Sequence, residues 1–117
     1  MSSPRFLLDE HITHEIAHGL RQREPRIRVC MLGQLGAPDP ELLSWIEDQD
    51  CLLITNNRST MPVHLHEHLA AGRHVPGILS VPKRIALGPL VDELYLIWAA
   101  SLPGEYQDRI VYLPLRY

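Results

Sequence analysis

Five short apolar runs, at residues 5–8, 27–31, 51–55, 77–81 and 110–113, alternate along this chain with four segments whose apolar residues recur at helical spacing. Such alternation with short connections implies parallel strands joined by right-handed crossovers, with helices on both faces. In the first helical segment Ile12, Ile16 and Leu20 form one stripe, which runs to about Arg23 and ends at Glu24-Pro25. Asp39-Pro40 reads as the next helix start, with Asp39 as N-cap, Leu42, Leu43 and Ile46 on the buried face, and Trp45 at its edge. Ser59 or Thr60 is placed to cap a third helix carrying Met61, Leu65 and Leu69, and Gly72 to end it. Leu87, Leu90, Val91, Leu94, Ile97 and Trp98 make the fourth, reaching about Ser101. The expected class is therefore α/β, a three-layer α/β/α sandwich around a mostly parallel five-stranded sheet.

Two of the runs end abruptly in polar tips, Asp9-Glu10 and Thr55-Asn56-Asn57. Open α/β sheets collect ligands just beyond the carboxyl ends of their strands. For the two tips to meet, the first strand must lie between the second and third, which gives the order 2-1-3-4-5. At 117 residues the chain suffices for one domain, residues 1–117, and is too short for two. A net charge of -3 supplies no general field for a polyanion, so any nucleic-acid contact must rest on local groups such as Arg21, Arg23, Arg26, Arg28 or Lys83-Arg84. No signal-like leader and no apolar run near the roughly 20 residues needed to span a bilayer are present, so a soluble cytoplasmic protein is expected. Cys30 and Cys51 sit inside apolar runs without metal-knuckle or redox spacing and read as reduced core thiols.

Asp9, Asp39 and Asn57 all fall at the same edge of such a sheet. Oxygen donors on separate loops suit Mg²⁺ or Mn²⁺, which keep several waters and can stabilise the charge that develops on a phosphodiester. The competing reading makes Asp39 only a helix cap and Asp9-Glu10 only a solvated loop.

Phe6-Leu7-Leu8-Asp9-Glu10, the Pro38-Asp39 helix start followed by Leu42-Leu43, and Leu52-Leu53-Ile54-Thr55-Asn56 resemble the short bacterial PIN-like proteins of the PIN nuclease superfamily. The resemblance extends over most of the chain, including Pro76-Gly77-Ile78-Leu79 and Arg109-Ile110-Val111-Tyr112. It implies a PIN-like fold and Mg²⁺- or Mn²⁺-dependent RNA cleavage, often in toxin-antitoxin settings with an antitoxin protein as partner. Carried over by position, Asp9 is the first acidic ligand and Asp39 the second, with Asn57 and Thr55 orienting water or phosphate. The third position departs from the pattern. Where the family commonly has Thr-Asn-Asp-Arg-Asp, this chain has Thr55-Asn56-Asn57-Arg58-Ser59, two carboxylates fewer. The missing charge should weaken divalent affinity, and it leaves a second expectation: a PIN-like module that binds RNA or a partner protein without cutting.

Three other patterns compete. His14-Glu15-Ile16-Ala17-His18 matches the zinc-protease helix signature, but it follows a strand in an α/β alternation and has no third ligand at the extended spacing. His64, His66 and His68 read as a solvated helix face, with opportunistic Zn²⁺ or Ni²⁺ binding as the alternative. A receiver-type phosphoacceptor fails at the third strand, where Asn56-Asn57 replaces the required aspartate. For self-association, a homodimer being a common PIN-like state, the candidates are Trp45, Tyr95, Trp98, Tyr106 and the tail from Tyr112 to Tyr117.

Overall fold

The computed structural model describes residues 3–9, 12, 14–31, 38–84 and 86–114, so Glu10, the loop at 33–37 and the last three residues of the tail lie outside the described residues. The elements alternate as β1 (Arg5–Leu8), α1 (His14–Arg23), β2 (Val29–Met31), α2 (Asp39–Gln49), β3 (Cys51–Thr55), α3 (Met61–Ala70), β4 (Ile78–Ser80), α4 (Leu87–Ala100) and β5 (Ile110–Tyr112). The strands form one sheet in the order β2-β1-β3-β4-β5, and every pairing is parallel. Class and strand order are those the alternation and the polar tips imply.

Continuous apolarity in β1 and β3 has a direct structural cause, since both strands are covered on both faces. Phe6, Leu8, Leu52, Ile54 and Leu79 point to the side of α1 and α4, where they pack with Ile16, Leu20, Leu90, Leu94 and Ile97. Leu7, Leu53 and Ile78 point to the side of α2 and α3 and meet Leu42, Leu43, Ile46, Met61 and Leu65. Each of these leucines, if cut to alanine, would cost about 2–5 kcal/mol. Cys51 belongs to the second cluster, and burial, with Cys30 beside it, pushes its thiol up to about 11, the condition of an unreactive core cysteine.

Several local features depart from the sequence reading. Helix α1 starts at His14, because the Asp9 carbonyl takes the Ile12 N–H at 2.9 Å and leaves buried Ile12 ahead of the helix. Asp39 is not the N-cap of α2. That position belongs to Pro38, whose carbonyl accepts the Glu41 and Leu42 N–H groups at 2.9 and 3.1 Å, so Asp39 stands inside the first turn with its carboxylate free of capping duty. Thr60 occupies the N-cap position of α3 but makes no side-chain cap bond. His68, expected on the solvated face, is buried, because the residues of α3 that turn inward are Met61, Leu65 and His68.

Burial of an imidazole requires partners. His68 Nε2 lies 3.0 Å from Glu47 Oε1 and 3.1 Å from the His74 carbonyl, two acceptors that place the proton on that nitrogen. Glu47 also takes the Arg73 guanidinium at 2.9 Å and the His74 N–H at 3.1 Å. Asp108, at a left-handed φ of 60°, accepts the Val75 N–H at 2.9 Å and the His74 ring at 2.7 Å. This network ties α2 and α3 to the turn that leads into β5. The Asp108 hydrogen bond and its charge raise the His74 pKa above the ordinary 6.5. Burial works against Asp108 ionisation, but the Val75 N–H and His74 outweigh it and hold the carboxyl below the ordinary 3.8.

A raised histidine stabilises the fold below the unfolded-state value, and that contribution is lost as pH climbs through the folded value; a depressed carboxyl contributes above its unfolded value and loses it as pH falls. The parent protein should therefore lose the His74 contribution as pH rises from 6 through the raised value, and the Asp108 contribution below 3.8. Asp108→Asn keeps a residue tolerant of the left-handed conformation and removes the charge. Its melting temperature, followed by circular dichroism from pH 5 to 9, should change less with pH than that of the parent. Parallel profiles for the two proteins would show that the pair carries no such linkage.

Candidate functional site

Because all strands are parallel, β1, β3, β4 and β5 deliver their carboxyl ends to one rim of the sheet. The Asp9 N–H continues the ladder beyond β1 by bonding the Ile54 carbonyl at 3.0 Å, which fixes the backbone that carries the carboxylate. Asp9 itself is only 5% exposed. A buried carboxylate must find compensation, and here Thr55 Oγ1 donates to its Oδ2 at 2.8 Å. The same hydroxyl accepts the Asn57 N–H at 3.1 Å. Asn57 then reaches across with Nδ2 to Asp39 Oδ2, at 2.6 Å. The four site residues expected from the sequence, Asp9, Asp39, Thr55 and Asn57, thus stand in one hydrogen-bonded chain running from β1 through the tip of β3 to the first turn of α2.

Asn57 has further duties. Its Nδ2 also donates to Thr60 Oγ1 at 2.7 Å, and its Oδ1 accepts the Thr60 N–H at 3.2 Å and the Ser59 hydroxyl at 3.4 Å. The side chain therefore satisfies the start of α3, the work that Ser59 or Thr60 was expected to do, while holding Asp39 from the other side. Its N–H group, and not its oxygen, faces Asp39, so ligation of a metal by Asn57 requires the amide to turn over.

Asp9, Asp39, Asn56, Asn57, Arg58, Ser59 and Lys83 enclose a pocket of about 640 Å³ at this rim. Two carboxylates and two cations in one lining suit an anionic substrate approached through a divalent ion. Among the described residues no group of three or more His, Cys, Asp and Glu is arranged to hold a metal ion. The fit for Mg²⁺ or Mn²⁺ accordingly rests on two carboxylates, with water and substrate oxygens completing the shell, as Mg²⁺ sites commonly allow. The donor set is all oxygen and fits a hard cation.

His64, expected on a solvated face, is half-buried in the first turns of α3, with Nε2 3.8 Å from Asp39 Oδ2. Its Nδ1 and the Ser80 hydroxyl are the buried side-chain atoms without a hydrogen-bond partner among the described residues. His66 is exposed and His68 turns to Glu47, so the three histidines of α3 do not converge. His14, Glu15 and His18 are all exposed on α1 and approach no third ligand among the described residues. The basic patch at 21–28 is largely taken up locally: Arg23 lies 3.7 Å from Asp92 and over Tyr95, Arg26 bonds Glu24 and covers Trp98, and Arg21 bonds the Val29 carbonyl. Of the basic groups named from the sequence, Lys83 is the one that reaches the pocket. Sequence reasoning missed His64 and Arg58 as site residues. Position in the Asn57-Arg58 tip was the available signal for Arg58, and no pattern short of the α2–α3 contact marks His64.

A larger hollow of about 1060 Å³ opens at the opposite end of the sheet, lined among others by Arg5, Arg26, Glu47, His74 and Trp98. Size alone does not make it the site, because Arg26, Glu47 and His74 are committed to Glu24, His68 and Asp108. Comparison of the chain with family models, with curated proteins and with solved structures finds no match.

Asn57→Asp sets a carboxylate where an amide N–H now bonds Asp39. In metal-free buffer this variant should lose about 1–3 kcal/mol, through the broken bond and the like charge. Mn²⁺ should then raise its melting temperature more than that of the parent, since a cation bound only by the folded state stabilises it and now meets three carboxylates. An equal Mn²⁺ shift in both proteins would mean that position 57 does not face the cation.

Proposed function

We propose that this protein is a PIN-like, Mg²⁺- or Mn²⁺-dependent endoribonuclease working at the rim formed by Asp9, Asp39, Thr55 and Asn57. The observation that carries the reading is the hydrogen-bonded chain linking two carboxylates inside one pocket edged by Arg58 and Lys83. In this scheme Asp9 and Asp39 hold the cation, and Thr55 keeps the Asp9 carboxylate from rotating away. Arg58 and Lys83 take the phosphate, which explains how a chain of net charge -3 can draw a polyanion to one spot. Asn57 fixes Asp39 and presents a polar edge to water or phosphate. A bound divalent cation would supply the positive charge that stabilises the phosphodiester during displacement.

One observation favours a second reading, in which the module binds RNA or a partner protein without cleavage. Asn57 already satisfies Asp39 with an N–H at 2.6 Å, so the network is complete without a cation. Labelled RNA incubated with purified protein and Mn²⁺, beside an Asp9→Asn variant, separates the two. The nuclease reading expects cleavage by the parent and at least a hundredfold less by the variant, about the 3 kcal/mol that loss of a charged transition-state contact costs. Equal cleavage by both proteins would sink it. RNA bound but left intact by the parent would support the second reading.

A further inference from the structure

Thr55, Ser80 and Tyr112 are register partners on β3, β4 and β5, and Asp9 joins the same row by its bond to Thr55. The residues two before them, Leu7, Leu53, Ile78 and Ile110, all pack on the α2–α3 side, so the alternation of side chains along a strand puts the whole row on that face. From the buried Asp9 carboxylate the row runs past the Thr55 hydroxyl and the buried Ser80 hydroxyl, which has no hydrogen-bond partner among the described residues, to a tyrosine that is 45% exposed. By strand spacing the tyrosine is about 10 Å from Thr55. The Arg58 guanidinium lies 5.2 Å from the centre of the Tyr112 ring, and Arg58 also borders the Asp9–Asp39 pocket. A cation and the aromatic face it covers therefore stand at the outer end of the row that starts from the Asp9 carboxylate.

We propose that Tyr112 is a base-stacking platform of the site, receiving an unpaired nucleobase next to the phosphate held over Asp9 and Asp39. This rests on the reading of the pocket as an RNA site and adds to it a requirement for an unstacked base on one side of that phosphate. Nucleic acid offers alternating phosphate and aromatic base, and the rim offers Arg58 and Lys83 followed by Tyr112. On binding, the Arg58 guanidinium leaves the ring for the phosphate and the base takes its place. Stacking of a base on an exposed aromatic tolerates any sequence and is worth roughly 5- to 150-fold in affinity.

The test is the binding of a short, end-labelled single-stranded RNA to the full chain, followed by fluorescence anisotropy in EDTA at low salt, so that no cleavage is needed. Tyr112→Ala should bind about tenfold more weakly and Tyr112→Phe like the parent, a result within the stacking range. A set of RNAs with one abasic nucleotide moved along the strand should contain a position that weakens the parent and has no further effect on Tyr112→Ala. Exposure of the ring means that both variants should keep the parent's melting temperature, which is checked alongside. Parent-like binding by Tyr112→Ala, an abasic penalty that is the same in parent and variant, or no RNA binding by the parent would each overturn the proposal. Cleavage with Mn²⁺ is scored separately: abasic discrimination without cleavage sinks the nuclease reading and leaves the platform standing, and cleavage without discrimination does the reverse.

Discussion

The sheet is parallel throughout and covered on both faces, and most of the molecule follows from that constraint. Parallel strands need crossover helices, so Leu7, Leu53 and Ile78 face one helical layer while Phe6, Leu52, Ile54 and Leu79 face the other. Parallel strands also bring every carboxyl end to the same rim, so residues far apart in sequence, Asp9 and Asn57 among them, become neighbours. With β1 in the interior of the sheet, its last residue is carried into a nearly dry position, and a carboxylate there has to be held by something. Thr55 does this from the adjacent strand, and its hydroxyl passes the connection on to Asn57 and Asp39.

Much of this was legible in the sequence. The strand order came from the two polar tips, because a polar residue directly after a buried strand has one place to be, and two such tips can share a site only if their strands are adjacent. What was not legible depended on contacts between elements. Asp39 before Pro40 has the pattern of an N-cap, yet Pro38 supplies the carbonyl that starts the helix and the carboxylate is left for Asn57. His68 looks solvated by residue type, yet it stands on the inward stripe with Met61 and Leu65, and the partners that let an imidazole be buried there, Glu47 of α2 and the His74 carbonyl, lie outside α3 where its sequence does not show them. His64 and Tyr112 enter the picture for the same reason. Each is placed by a neighbour distant in the chain, Asp39 in the first case and Arg58 in the second.

Asn57 is where stability and function meet. As an amide it can bond Asp39 Oδ2 and Thr60 Oγ1 through its N–H groups while accepting the Thr60 N–H, so it joins the first turn of α2 to the start of α3 without adding charge. A carboxylate in its place would strengthen a cation site and repel Asp39 when the cation is absent. The rim thus ties Asp39 to Asn57 without a cation, and on the proposed reading its two carboxylates, with Arg58 and Lys83 beside them, would meet a phosphodiester and its metal. Such a rim should take a divalent ion weakly, with substrate oxygens supplying part of the shell.

The most direct test of that account is the paramagnetic resonance of Mn²⁺ titrated into the purified protein, which counts bound and free ion. The account predicts one saturable Mn²⁺ site per chain that disappears in both Asp9→Asn and Asp39→Ser. A site that survives both substitutions, or no site in the parent up to millimolar Mn²⁺ with RNA present, would contradict it.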